Sequence, residues 1–193
     1  VSKSAIKYCI GTGSGREKSD FVDEVVSEIK CHGKGARWML PTAETVIDIG
    51  GQDCKTMKID KDGNVGRFSA NDKCASGTGR FLEVMAKVLG VGIDELGKLS
   101  AKAKNPITLA STCTVWAQAD VIKYINSGVP IEDIGAGINT AMAGRVAILV
   151  NAVKPEGDID MTGGVAKNIG VVSTLEKMLG RRLKKARKAD PQL

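Results

Sequence analysis

The sequence is poor in aromatic residues, has a single histidine and contains no pair of cysteines spaced as C-x-x-C. Aromatic side chains make up only 4% of the chain, so stacking of nucleic-acid bases on aromatic rings is not expected. No apolar run reaches the length of a bilayer span, and the first residues, VSKSAIKYCIG, lack the apolar core of a secretory signal. We therefore expect neither a membrane nor a nucleic-acid partner.

The cysteine count points to a reducing compartment. Five cysteines cannot all pair with one another, and a chain without an export signal has no need of a disulfide framework. The expected location is the cytoplasm. With 42% hydrophobic residues, the 193-residue chain is long enough to bury a core in one domain or in two small subdomains.

The net charge of +6 comes from one segment, RRLKKARK, at residues 181–188. Outside this segment, basic and acidic residues are equal in number. A basic segment can contact nucleic acid or an acidic partner, but it is more often a solvated edge strand or tail. We favour the second interpretation because no aromatic residue is interspersed in the segment.

Hydrophobic periodicity predicts alternating strands and helices. Strands are expected at 5–11, in two runs at 45–60 and 63–71 around the turn DKDG, and at 158–164; helices are expected at 19–31, 77–89, 93–103, from about 113, at 131–153 and at 166–179. Strands that lead into helices through glycine turns are typical of an α/β fold, which binds ligands at the carboxyl ends of its strands.

Two strand ends carry paired glycines. In VIDIGGQD, Asp48 closes an apolar strand and is followed by Gly50 and Gly51, so its carboxylate can reach a metal ion while the backbone approaches phosphate oxygens. In MTGGVAKN, Gly163 and Gly164 suit a phosphate or a flat adenosine lying against the backbone. A simple turn is the alternative for each motif. Neither motif matches a P-loop or G-x-G-x-x-G.

Two cysteines precede predicted helices. Cys74 lies in NDKCASGTGRF and Cys113 lies in STCTVWAQADVI. Backbone N–H groups at a helix N-terminus favour a negative charge, which suits a thiolate. Cys9 and Cys54 are better explained as small buried side chains. Cys31 and His32 could contribute to a zinc site or lie near a ligand, but two ligands are too few for structural zinc and we favour a structural role.

Seven segments, in this order along nearly the whole chain, resemble those of one known family. The family comprises the ATP-dependent activators of 2-hydroxyacyl-CoA dehydratases and the related ATPase subunits of benzoyl-CoA reductase. It belongs to the actin, hexokinase and Hsp70 superfamily, so the resemblance implies a ribonuclease H-like α/β ATPase fold. The matching segments are GTGSGR (11–16), CHGKGA (31–36), TVIDIGGQDCK (45–55), NDKCASGTGRFLEVMA (71–86), STCTVWAQADVI (111–122), AGINTAMAGRV (136–146) and MTGGVAKN (161–168).

The resemblance implies a [4Fe–4S] cluster bound by Cys74 and Cys113. Such a cluster ordinarily needs four thiolates, so an identical or similar second subunit would supply the other pair across a dimer axis. The helices near 74–90 and 113–127 would then carry the cluster. We expect Gly77 and Gly79 to let backbone amides approach the sulfur atoms.

The resemblance also implies an ATP/ADP site with Mg²⁺. Asp48 would hold the Mg²⁺ and act with Gln52 in catalysis. The nucleotide would be lined by Gly50, Gly51, Gln52, Gly163, Gly164, Lys167 and Asn168.

The implied activity is ATP-dependent transfer of one electron from the cluster to a dehydratase or reductase component. Reduced ferredoxin or flavodoxin would supply the electron. At Gln118, within WAQA, dehydratase activators more often carry an acidic residue within FAES, which favours the reductase branch. Another kinase of the superfamily and an inactive fragment that only dimerises or binds a partner are the alternatives.

The sequence departs from the family at both ends. No D-x-G-S turn precedes Val1, and ADPQL resembles the start of the family's closing segment. The expectation is therefore a fragment of a single, two-lobed ATPase domain over residues 1–193. Half of the phosphate clamp would lie outside it, which leaves open whether this length of chain hydrolyses ATP.

Overall fold

The computed structural model describes residues 5–18, 20–71, 73–110 and 113–185. Its strands are β1 (Ile10–Gly11), β2 (Glu24–Val25), β3 (Ala43–Ile49), β4 (Cys54–Ile59), β5 (Val65–Asn71), β6 (Asp158–Thr162) and β7 (Leu183–Lys184). Its α-helices are α1 (Glu28–Met39), α2 (Gly79–Leu89), α3 (Ile93–Leu99), α4 (Thr114–Asn126), α5 (Ile131–Val153) and α6 (Ile169–Leu179). Two short 3₁₀ helices cover Arg16–Lys18 and Gly164–Lys167.

One five-stranded sheet, in the order β5-β4-β3-β6-β7, organises the chain. Strands β3, β4 and β5 form an antiparallel meander, whereas β3, β6 and β7 run parallel. Because β3 and β6 are parallel neighbours, their carboxyl ends meet at one edge, where Asp48 lies opposite Thr162. The separate two-residue strands β1 and β2 pair in parallel.

Helices cover both faces of the sheet. Helix α1 packs on one face, where Ala36 meets Val46 and Met57 in a small apolar cluster. Helix α5 packs on the other face and also contacts α2, α3, α4 and α6, which together enclose the larger core. Strand β3 is covered on both sides, and only Glu44 of its seven residues is exposed.

Helix α5 corrects one expectation about the membrane. Among the described residues it is the one helix long and apolar enough to cross a bilayer, with a mean hydropathy of 1.3 over its best window. The polar residues Asp133, Asn139 and Arg145 interrupt the apolar run, and for this reason the sequence predicted no segment of that length. In the structure 56% of that window is buried inside the protein, so α5 acts as the central core helix.

The helix at 131–153 is confirmed, as are a helix that begins five residues after Cys74 and a helix that begins directly after Cys113. The bounds predicted for the helix at 19–31 are wrong: the helix of this region, α1, begins only at Glu28 and continues to Met39. Two glycines in α1 lower its helix propensity, so the sequence did not indicate a helix beyond residue 31. Gly33 is required by packing, since a Cβ there would lie 2.6 Å from Val65 Cγ2 and 2.8 Å from the Gly63 carbonyl oxygen.

Two strand predictions also need correction. The run at 45–60 is two strands, because the chain turns back at Gly50, whose N–H donates to the Asp53 carbonyl at 3.0 Å. Only Ile10–Gly11 of the predicted strand 5–11 is extended. The basic segment begins beside β7, an edge strand, as favoured; its residues 186–188 lie outside the described residues.

Candidate functional site

Three side chains meet at the shared edge of β3 and β6. The Thr162 hydroxyl donates to Asp48 Oδ1 at 3.0 Å, and His32 Nε2 lies 2.9 Å from the same hydroxyl oxygen. His32 Nδ1 is 3.7 Å from Asp48 Oδ2. The Asp48 side chain is 13% exposed, so the carboxylate is largely enclosed but still reachable from solvent. The sequence left open a position of His32 near a ligand but favoured a structural role, because nothing in its local pattern shows that α1 packs beside this strand end.

Gly163 closes this edge of the site. Its φ is +81°, and a Cβ at this position would lie 2.4 Å from the Ile49 carbonyl oxygen and 2.8 Å from Asp48 Oδ1. Only glycine fits both the backbone conformation and the space. Gly164, in contrast, is exposed and faces open space within 4 Å of its Cβ position. The pair therefore combines a close strand contact with backbone that a ligand can approach.

The second glycine pair lies in the turn between β3 and β4. Gly51 and Gln52 are exposed there, and a Cβ on Gly51 would meet nothing within 4 Å. Lys55 fixes the base of the turn by pairing with both Asp53 and Glu28, the first residue of α1. Burial of the ammonium acts to lower the pKa of Lys55, but its hydrogen bonds to the two carboxylates outweigh burial and raise it above its ordinary value.

The same turn contacts the start of α2 directly. The Gly79 N–H donates to the Gly50 carbonyl and the Arg80 N–H donates to the Gly51 carbonyl, each at 2.8 Å. A Cβ on Gly79 would lie 3.0 Å from the Gly50 oxygen and 3.2 Å from Gly51 Cα. We call these four residues the turn–helix contact. The Gly79 amide thus binds the glycine turn; the expectation that Gly77 and Gly79 let backbone amides approach the sulfur atoms stays a prediction.

The loop that carries Cys74 is held from the end of β5. Asn71 Nδ2 donates to the carbonyl oxygens of Cys74 and Ser76 at 2.9 and 2.7 Å, and Asn71 Oδ1 accepts from the Cys74 N–H at 3.3 Å. Gly77, at φ +86°, passes so close to α5 that a Cβ would lie 2.9 Å from Arg145 Cγ. Cys74 itself is exposed. The loop is thus fixed through its backbone while the thiol faces outward.

Cys113 occupies the N-cap position of α4 and is also exposed. Residues 108–110 are tied to α4 itself: the Ala110 N–H donates to Asp120 Oδ2 at 3.1 Å, and the Tyr124 hydroxyl donates to the Thr108 carbonyl at 3.2 Å. Helices α2 and α4 pack against each other, so the helix starts beside both predicted cysteine ligands belong to one packed pair.

Other predicted site residues are placed differently. The Asn168 side chain is buried and caps α6, accepting from the Val171 N–H at 2.9 Å while its amide group donates to Asn139 at 3.3 Å. Its use by a nucleotide stays a prediction. Lys167 is exposed at the end of a 3₁₀ helix, and Gln118 is half-buried on α4.

The described residues contain no group of three or more histidine, cysteine, aspartate or glutamate side chains that could hold a metal ion. A site for Mg²⁺ with nucleotide does not need such a group, because this ion keeps waters and takes further ligands from phosphates. An iron–sulfur cluster does need more thiolates than Cys74 and Cys113 provide. One chain therefore supplies at most part of a cluster site.

Cys54 provides a control thiol. It is completely buried, and burial, with smaller effects of Asp48 and Asp53, raises the pKa of its thiol to about 12. At pH 8 its thiolate fraction should be about 10⁻⁴, so we expect alkylation of Cys54 to be at least about 1,000-fold slower than that of an ordinary thiol. Peptide mapping after iodoacetamide treatment measures this, with urea-unfolded protein as the control. Equal rates at Cys54 and Cys74 in the folded protein would contradict the structure.

The sheet order, the two glycine pairs at strand ends and Asp48 between them define an ATPase of the actin-like fold. The chain belongs to the BadF/BadG/BcrA/BcrD ATPase family, whose pattern matches residues 1–192. The family and fold predicted from the sequence are confirmed. Xylulose kinase from Bifidobacterium adolescentis shares the fold alone, at 17% identity and a TM-score of 0.53 over 82% of this chain and 37% of that chain.

Two relatives differ in their named roles. The 2-hydroxyisocaproyl-CoA dehydratase activator of Clostridioides difficile is 42% identical over 183 residues, which cover 95% of this chain and 69% of the relative. A benzoyl-CoA reductase subunit of Thauera aromatica is 36% identical over 180 residues, covering 93% of this chain and 64% of the relative. A structure of the C. difficile activator with bound ADPNP matches at a TM-score of 0.89 and 41% identity, over 97% of this chain and 70% of that chain.

Proposed function

We propose that this chain is an ATP-dependent activator that passes single electrons from a [4Fe–4S] cluster to a 2-hydroxyacyl-CoA dehydratase or a benzoyl-CoA reductase component. The observation that carries the proposal is the turn–helix contact, in which the Gly50–Gly51 turn binds the first amides of α2. Through this contact, a change at the nucleotide site acts directly on the helix that follows Cys74.

The nucleotide half of the proposal is supported by the edge of β3 and β6. Asp48 is the carboxylate available to a Mg²⁺ ion there, while Gly51, Gly164 and Gln52 expose backbone and an amide to the phosphates. Gln52, at the tip of the turn, would orient the water that attacks the terminal phosphate, giving ADP and phosphate. The remaining predicted contacts, at Gly163, Lys167 and Asn168, lie along the neighbouring strand end.

The part of the proposal that concerns the [4Fe–4S] cluster rests on the two cysteines that would bind it. Exposed Cys113 is the N-cap residue of α4, where a helix N-terminus stabilises a thiolate. Exposed Cys74 lies in the loop five residues before α2, which packs against α4. Two copies of the chain would supply the four thiolates that a [4Fe–4S] cluster takes. When bound, the cluster supplies one-electron chemistry. This chain's residues hold the loop of Cys74 and the segment before α4, and both cysteines are exposed on the surface that a second subunit would approach.

The surface around Cys113 supports a protein partner. Val115, Trp116 and Ile122 lie on the outer side of α4 and are 70%, 67% and 48% exposed. Exposed apolar side chains on the helix that follows Cys113 are suited to bind a subunit or an acceptor protein that must approach the cluster. We propose reduced ferredoxin or flavodoxin as the electron donor and the cytoplasm as the location. The higher identity to the dehydratase activator favours a dehydratase acceptor over the reductase branch that Gln118 had indicated.

Iron and acid-labile sulfide should be measured after anaerobic purification of the wild-type protein. We expect about four irons and four sulfides per pair of chains, because two exposed thiolates from each copy complete the ligand set. Cys74→Ala and Cys113→Ala should each lose the iron. Cys31→Ala is the matched control, since Cys31 lies on α1 next to the nucleotide edge, and it should retain the full iron content.

Protein without iron after chemical reconstitution would contradict the electron-transfer proposal. If that protein still showed a nucleotide-dependent rise in melting temperature, a kinase of the same fold would be favoured. If neither iron nor nucleotide bound, the chain would be a dimerisation or binding fragment.

A further inference from the structure

We infer that His32 is a positioning residue of the nucleotide site, which acts through Thr162 to orient the Asp48 carboxylate for a divalent cation. The inference rests on the proposed function, because Asp48 is the cation ligand only if the chain binds Mg²⁺ with nucleotide. Three elements that are far apart in sequence, α1, β3 and β6, each contribute one of the three side chains.

The hydrogen count fixes the direction of the contacts. The Thr162 hydroxyl has one hydrogen, and the ionised Asp48 carboxylate can only accept, so the hydroxyl donates to Asp48 Oδ1 at 3.0 Å. The alternative acceptor, the Ile47 carbonyl, is 3.5 Å away. The hydroxyl oxygen therefore accepts from His32, whose Nε2 at 2.9 Å must carry a hydrogen. The chain of donation runs from His32 through Thr162 to Asp48.

This arrangement leaves the two carboxylate oxygens in different settings. Asp48 Oδ1 accepts from Thr162 and faces Gly163, whereas Oδ2 lies 3.7 Å from His32 Nδ1, beyond hydrogen-bond distance. Oδ2 is thus the oxygen left for a cation. Residues that orient a metal ligand in this way typically change metal affinity by 10- to 100-fold when they are replaced.

The position of His32 is itself fixed by the packing of α1. Gly33 allows the helix to lie against Val65 and the Gly63 carbonyl, and the pairing of Glu28 with Lys55 ties the start of α1 to β4. The imidazole is 23% exposed, so the contact with Thr162 is partly shielded from water. His32 is the one histidine of the chain, and the proposed function gives it no other role.

The test uses Mn²⁺ as a probe, because free and bound Mn²⁺ are distinguished directly by their EPR signals. Mn²⁺ is titrated into the full chain with ADPNP, for wild type, His32→Phe, His32→Gln and Lys30→Gln. We expect His32→Phe, which keeps a planar ring but has no donor, to raise the Mn²⁺ dissociation constant about 10- to 100-fold. His32→Gln, which retains an amide donor, should stay within about threefold of wild type.

Lys30→Gln is the control for a changed residue on α1, since Lys30 is exposed on the same helix, and it should leave Mn²⁺ binding unchanged. The melting temperature without ligand checks that each variant is folded. Equal Mn²⁺ affinity of wild type and folded His32→Phe would overturn the positioning role while leaving the proposed function intact. A wild-type chain that binds neither ADPNP nor Mn²⁺ would instead overturn the nucleotide half of the proposed function, and the inference with it. If His32→Phe does not fold, His32→Leu, which also lacks a donor, replaces it: loss of Mn²⁺ affinity with an unchanged melting temperature supports the role, and wild-type affinity overturns it.

Discussion

A Gly163→Ala variant is expected to lose about 3 kcal/mol of folding free energy and to lose nucleotide binding. The added Cβ would lie 2.4 Å from the Ile49 carbonyl oxygen and 2.7 Å from its carbonyl carbon, both of them backbone atoms of the neighbouring strand. The φ of +81° adds strain for any side chain. Relief requires β3 and the start of the 3₁₀ helix to separate, which moves Asp48 away from Thr162.

Thermal unfolding measures this effect, and a fall in melting temperature of roughly 10 °C is expected for a chain of this size. Gly164→Ala is the matched control for stability. It is the next residue, and a Cβ there meets nothing within 4 Å, so its unliganded melting temperature should equal that of wild type. Comparing the two variants distinguishes the effect of the steric clash at Gly163 from the effect of replacing any glycine in this turn. A Gly163→Ala protein as stable as Gly164→Ala would contradict the close approach of β3 and Gly163.

A Gly79→Val variant is expected to bind nucleotide but to stop transmitting that binding to Cys74. A Cβ on Gly79 would already lie 3.0 Å from the Gly50 oxygen, and the two methyl groups of valine require more room than the turn–helix contact provides. The hydrogen bonds from Gly79 and Arg80 to the turn would then lengthen or break. The site edge formed by Asp48 and Thr162 lies on other strand residues and should persist.

The rate of Cys74 alkylation, with and without Mg²⁺ and ADPNP, measures the transmission in protein that holds no iron. In wild type we expect nucleotide to change this rate at least about fivefold, the lower end for coupling between linked sites. In Gly79→Val the rate should be the same in both conditions, while the nucleotide-dependent rise in melting temperature remains. Gly35→Ala serves as the control, because Gly35 lies in α1 facing open space. A full nucleotide response in Gly79→Val would show that the signal reaches Cys74 by another route.

The sequence predicted those parts of the site that consist of consecutive residues, and it did not predict the contacts between distant segments. The strand ends at Asp48 and Gly163 were predictable, because an apolar run followed by two glycines has a direct structural meaning. The start of α4 after Cys113 was predictable for a similar reason. These features depend on local conformation, which the local sequence determines.

The contribution of His32 depends on the packing of α1, so the local sequence could not predict it. Helix α1 contains two glycines, which lower helix propensity, and tertiary contacts at Gly33 override that preference. The role of Gly79 was missed for a related reason: its position after the cysteine loop pointed to sulfur, whereas its partner is a turn about thirty residues earlier in the chain. Pairings between distant residues leave no periodic pattern in either segment.

The supports of the two exposed cysteines differ in kind. Cys113 is the N-cap residue of the 13-residue helix α4. Cys74 lies five residues before α2, in a loop that three hydrogen bonds of Asn71 and the close approach of Gly77 to α5 hold in place. A cluster shared by two such chains would be held by two sulfurs from helix N-caps and two from loops. A change in the tilt of α4 would therefore bear on one cysteine of each subunit, and a change in the Asn71 loop on the other.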